Sequence, residues 1–209
     1  MNARTETRLI AGPAGVLELA LDHPESAPRG AAVIAHPHPL YGGTMHNKVV
    51  QTLARACVQE GWLAVRFNFR GVGASAGVHD HGVGEVDDLL AVVASVAPPG
   101  PLVLAGFSFG GYVAASAAQR LGAARAPRAL VLVGAAASRF TLPVLDGELG
   151  ARTLIVHGEH DDVVPLAAVL DWARPQALPV TVVPGGEHFF HGRLPLLKRL
   201  VMQHLRAVA

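Results

Sequence analysis

Three short segments of this sequence carry residues that could do chemistry together. Gly106-Phe107-Ser108-Phe109-Gly110 has the GxSxG spacing of a tight strand-to-helix turn that lifts a serine hydroxyl above a sheet edge. The flanking glycines are a steric need, since a side chain at either would strike a neighbouring strand or helix. Apolar Leu102-Val103-Leu104-Ala105 precedes the turn and Gly111-Tyr112-Val113-Ala114-Ala115 follows it, so the context is strand, turn, helix. Gly73-Ala74-Ser75-Ala76-Gly77 has the same spacing but runs on through Val78-His79-Asp80-His81-Gly82, which reads as loop and sets Ser75 aside.

A serine nucleophile needs a base, and the base needs an orienting acid, here in the chain order serine, acid, histidine. His157-Gly158-Glu159-His160-Asp161-Asp162 follows an apolar strand, and Pro184-Gly185-Gly186-Glu187-His188 follows the next one. Asp161 or Asp162 could accept the imidazole Nδ1–H; spacing does not choose between them. His188 is the candidate base, with His191 competing from a position nearer the following helix. The charge that develops on a tetrahedral intermediate needs two N–H donors. Phe109, just after the serine at a helix start, supplies one. In His36-Pro37-His38-Pro39 the prolines have no N–H, so His38 is the only donor past the strand end.

These turns require a scaffold that puts several strand ends on one edge. Short apolar runs at 31–35, 63–69, 102–107, 129–133, 153–157 and 180–183 alternate with helical patterns at 48–60, 84–96, 111–121, 166–173 and 194–207. That is the pattern of an α/β chain with a mostly parallel, doubly wound sheet. Runs at 8–11 and 16–21, joined across Gly12-Pro13-Ala14-Gly15, predict an N-terminal antiparallel hairpin. The stretch 138–152 shows no element and is too short for a cap domain. Residues 1–209 therefore read as one domain.

Composition narrows the function classes. With 51% hydrophobic and 16% charged residues the chain has a sizeable core. A formal net charge of +1, without basic runs, argues against nucleic acid. The single cysteine, Cys57, excludes an intrachain disulfide and reads as a buried thiol on a helix. The start of the chain lacks the apolar segment of a signal peptide and no run is long enough for a membrane span, so a cytoplasmic protein away from membranes is expected. No composition signal selects between a monomer and a homodimer.

His36, His38, His46, His79 and His81 include two His-x-His pairs, but no helical ligand pair accompanies them, so no metal and no cofactor are expected. Gly71-Val72-Gly73-Ala74-Ser75-Ala76 fits a loose dinucleotide fingerprint yet opens no helix. Arg70 reads as a structural partner of Asp87 or Asp88.

Taken together these segments resemble the α/β-hydrolase superfamily, in particular its small, cap-less bacterial branch related to dienelactone hydrolases and carboxylesterases. The resemblance runs from 36–43 through Asn68-Phe69-Arg70-Gly71-Val72-Gly73-Ala74-Ser75 to the three turns, over almost the whole chain. The family pattern His-Gly-x-x-Asp-x-x-Val-Pro, matched by His157, Gly158, Asp161, Val164 and Pro165, implies Asp161 rather than Asp162, and Gly-x-x-His-Phe implies His188. Relatives often carry an acidic residue where this chain has His46. The expected activity is hydrolysis of a small acyl ester or thioester through an acyl-enzyme. The alternatives are an amidase or peptidase of the same fold, or a non-catalytic ligand-binding protein. Tyr41, Met45, Phe107, Phe189 and Phe190, with Phe109, could form an apolar substrate wall.

Overall fold

In the computed structural model, which describes residues 5–96, 100–145 and 147–208, β1 (Thr5–Gly12) and β2 (Gly15–Asp22) form the expected antiparallel hairpin. Strand β3 (Ala31–Ala35) leads through a 3-10 turn to α1 (Lys48–Gln59), followed by β4 (Leu63–Phe67) and α2 (Val83–Val96). Then come β5 (Leu102–Phe107), α3 (Phe109–Leu121), β6 (Ala129–Val133) and the short α4 (Gly147–Ala151). The chain closes with β7 (Thr153–Gly158), α5 (Leu166–Ala173), β8 (Val180–Val183) and α6 (Leu194–Ala207). Residues 1–4, the start of the segment read for a leader, and Asp146 within 138–152 lie outside the described residues.

The sheet order is β1-β2-β4-β3-β5-β6-β7-β8, antiparallel at β1–β2 and β2–β4 and parallel elsewhere. From β3 the chain crosses to β4 on one side and then to β5 on the other, so strand order reverses between β3 and β5. A crevice outside the strand ends forms at such a reversal. Alternation along each strand feeds two cores. Val33, Leu104 and Leu132 pack with Leu89 of α2 and Val113 of α3, whereas Ile34, Val103 and Val131 pack with Leu53 of α1 and Leu197 of α6. Burial on both faces explains why these strands are apolar throughout.

Helix α1 starts where the Asn47 side chain accepts the Val49 N–H at 2.9 Å, and it buries Val49, Val50, Leu53 and Cys57. The hairpin is fastened to the interior by a buried ion pair, with Arg66 Nε and Nη2 on Asp22 Oδ2 at 3.0 and 2.9 Å. Arg66 Nη1 also donates to the Met45 carbonyl at 3.0 Å, while the Met45 N–H donates to Asn68 Oδ1 at 2.9 Å. Glu18 of the hairpin accepts from Asn68 Nδ2 at 2.8 Å. The peptide units around Met45 are thus held on both sides by groups tied to the hairpin.

Several element ends shift by a few residues from the sequence reading, and three departures have a local cause. Helix α3 begins at Phe109 rather than 111, because Ser108 takes the strained turn itself and becomes the N-cap. β4 ends at Phe67, since Asn68 leaves the strand to bind Glu18 and Met45. The stretch 138–152 contains α4, a single five-residue helix that itself includes Gly147 and Gly150 and has no periodic pattern to reveal it.

Candidate active site

Ser108 sits at φ 57°, ψ −117°, a conformation L residues rarely adopt. The strain is held by packing and by hydrogen bonds: Ser108 N–H donates to Val133 O at 2.9 Å, and Ser108 O accepts from Gly111 and Ala136 N–H. The turn closes only because its flanks lack Cβ atoms. A Cβ on Gly106 would run into the Gly110 carbonyl, and one on Gly110 into the carbonyls of Ala35 and His36.

The loops after β7 and β8 converge on this serine. Ser108 Oγ–H donates to His188 Nε2 at 3.1 Å, and His188 Nδ1–H donates to Asp161 Oδ2 at 2.7 Å. The other carboxylate oxygen accepts the N–H groups of Val163 and Val164 at 3.0 and 2.7 Å. Burial acts to raise the Asp161 carboxyl, but the hydrogen bonds from His188 and Val164 outweigh it and hold it below the ordinary carboxylate range. Asp162 is exposed, whereas Asp161 is buried and meets His188. His191 is exposed and paired with Glu187.

The loop after β3 faces the serine turn across the β3–β5 reversal. His36 is fully buried; its Nδ1–H donates to Pro37 O at 2.6 Å and its Nε2 accepts Phe69 N–H at 3.1 Å. These partners fix one neutral tautomer, and burial pushes the imidazole down to about 4. His38, next but one, lays its ring on Phe109 with centroids 4.9 Å apart, which puts the two candidate oxyanion residues in contact.

An α/β serine hydrolase without a lid from Xanthomonas campestris is 38% identical, covering 99% of this chain and 96% of that one, with a TM-score of 0.88. The chain belongs to the α/β-hydrolase superfamily. A serine hydrolase homologue from Coxiella burnetii is 42% identical over 96% of this chain and 97% of its own, with a TM-score of 0.81. A family model described as a thioesterase domain matches residues 85–145 of this hydrolase, from α2 through the serine turn and β6. An uncharacterised Rickettsia prowazekii protein is 43% identical over 108 residues, 49% of this chain and 45% of that one, so the match spans less than half of that relative.

The apolar wall expected of this α/β-hydrolase is divided by the structure. Met45, Phe107 and Phe190 are fully buried: Phe107 and Phe190 belong to the core beneath α1 and α6, and Phe107 underlies the His188 ring at 4.9 Å. Only Tyr41 and Phe189 offer area at the rim, Tyr41 against His38 at 4.9 Å and Phe189 against His188 at 5.1 Å. Phe140, unassigned by the sequence reading, stacks on Tyr112 and meets Phe109 at 5.2 Å.

Of the two carboxylates expected to pair with Arg70, Asp88 does so, bonded from Nε and Nη2 at 3.0 and 2.8 Å; Asp87 pairs with Arg120 instead. Ser75 donates to Asn68 O at 2.7 Å and accepts Glu18 N–H at 3.0 Å, which accounts for its hydroxyl. Glu85, in the first turn of α2, is fully buried, accepts the Asp80 and Gly82 N–H groups at 2.8 Å and lies 2.8 Å from His79 Nδ1. Among the described residues no group of three or more metal-binding side chains is placed to hold an ion, and no helix is long and apolar enough to cross a membrane.

Proposed function

We propose that this chain is a serine hydrolase that transfers the acyl group of small carboxylic esters or thioesters to water. The observation that carries this is the unbroken line from Asp161 through His188 to Ser108, at 2.7 and 3.1 Å, on a strained turn. The thioesterase-domain match supports the thioester side of the range.

In the reaction, Ser108 Oγ attacks the carbonyl carbon as its proton passes to His188 Nε2. Asp161 holds the resulting imidazolium in place by accepting from Nδ1. The Phe109 and His38 amides take the oxyanion; each such donor contributes about 3–4 kcal/mol to the transition state. His188 then protonates the leaving oxygen or sulfur, and the acyl group remains on Ser108. Water, deprotonated by His188, repeats the sequence and frees the acid. No cofactor takes part, and neither nucleic acid nor a membrane is a partner. Selectivity rests on the rim loops carrying Tyr41 and Phe189.

A fluorophosphonate should label the wild-type chain and leave Ser108→Ala unlabelled, with parallel turnover of esters and thioesters graded by acyl length. Absence of both labelling and turnover in folded wild-type protein would overturn the proposal. Turnover of amides in preference to esters would move the chain to the amidase class.

A further inference from the structure

One buried histidine close to the acid has no part in the proton transfers above. His157, at the end of β7, is fully buried. Its Nε2 lies 2.9 Å from the Val164 carbonyl oxygen. A carbonyl can only accept, so Nε2 carries the proton, and Nδ1, buried and bare, has no hydrogen-bond partner among the described residues. The same Nε2–H edge lies 3.4 Å from Asp161 Oδ2, the oxygen that His188 uses. The N–H of Val164 meanwhile grips Asp161 Oδ1 at 2.7 Å. Val164 is therefore held at both its polar atoms, by the carboxylate on one side and by His157 on the other.

We propose that His157 is a positioning residue for the acid, fixing through Val164 the turn that grips Asp161 and presenting an N–H edge to the oxygen that orients His188. The proposal rests on the serine-hydrolase reading above. A residue present only to fill space would be better served by an apolar side chain, since a buried nitrogen without a partner costs free energy. The arrangement keeps that nitrogen and turns its opposite N–H onto the acid turn.

The test compares His157→Gln, whose amide can still reach Val164, with His157→Leu, which has no donor. Readouts are the rate of fluorophosphonate labelling at Ser108, kcat and KM on an ester that the wild type hydrolyses, and near-ultraviolet circular dichroism for the fold. The Gln variant should stay within about threefold of wild type. The Leu variant should lose about tenfold or more in labelling rate and kcat, with KM within about twofold. A folded Leu variant with wild-type rates, or a Gln variant as slow as Leu, overturns the proposal. If the Leu variant does not fold, His157→Asn replaces it, its amide too short to reach Val164. Equal Gln and Asn rates, or failure of both Leu and Asn to fold, then overturn the assignment in favour of a purely structural role. Unlabelled wild type would instead sink the serine-hydrolase reading itself, and the proposal with it.

Discussion

Asp161→Asn exchanges one carboxylate oxygen for an amide nitrogen, and the contacts dictate which. Oδ1 accepts two backbone N–H groups, from Val163 and Val164, whereas Oδ2 accepts one short bond from His188 with His157 Nε2 3.4 Å away. An asparagine has a single oxygen, and placing its NH2 against two backbone donors would lose two bonds. The oxygen therefore stays with Val163 and Val164, and the NH2 turns toward His188. His188 Nδ1 must then accept, which moves the ring proton to Nε2 and points it at Ser108 Oγ. A base already protonated on that nitrogen cannot take the serine proton. The expected loss is about 10⁴-fold in kcat, equivalent to about 5 kcal/mol of transition-state stabilisation. Initial rates on an activated ester, with fluorophosphonate labelling as a second measure, would show it. Asp162→Asn, at an exposed position, should stay within about twofold of wild type. A folded Asp161→Asn protein keeping more than about a tenth of wild-type kcat, or an equal loss in Asp162→Asn, would refute the tautomer reasoning.

Stability should fall on acidification in a window set partly by His36, because burial holds the folded imidazole at about 4 while the unfolded chain binds a proton below about 6.5. Its contribution is complete above about pH 6.5 and is lost progressively toward about pH 4, by at most about 3 kcal/mol. Urea unfolding of His36→Gln should therefore give a flatter pH profile than wild type, and identical slopes would contradict the assignment. Cys57 should resist alkylation in the native state, since burial pushes its thiol up to about 12. Labelling by iodoacetamide should track urea unfolding, and modification of the folded chain within minutes would be the contrary result.

The serine turn was readable because its constraint is steric and local: two glycines must clear neighbouring carbonyls, and that leaves a mark in the sequence. The sheet was readable because strands buried on both faces carry unbroken apolar runs. Asp161 and Asp162, by contrast, differ only in which one the backbone N–H groups of Val163 and Val164 enclose, and adjacent residues of one type show no such difference in a bare sequence. Phe189 and Phe190 make the same point. They are neighbours of equal hydrophobicity, yet Phe190, at φ 52°, turns into the α6 core while Phe189 stays at the rim. Family resemblance pointed to Asp161, the carboxylate that meets His188, but not to which of the two phenylalanines faces out. Phe140 escaped notice because the segment holding it has no periodicity to mark a face.

The buried Asp22–Arg66–Met45 connection ties the outer hairpin to the loop that carries His38. Stripping away the first 22 residues would leave the Arg66 guanidinium charged and unpaired in the interior, while it still held the loop that leads from His38 into α1. The six parallel strands left would keep their helices and the GxSxG turn, while the loop that carries His38 would lose its anchor to the hairpin. For anyone seeking the smallest fragment that keeps this loop in place, the N-terminal ribbon belongs to the frame rather than to the packaging.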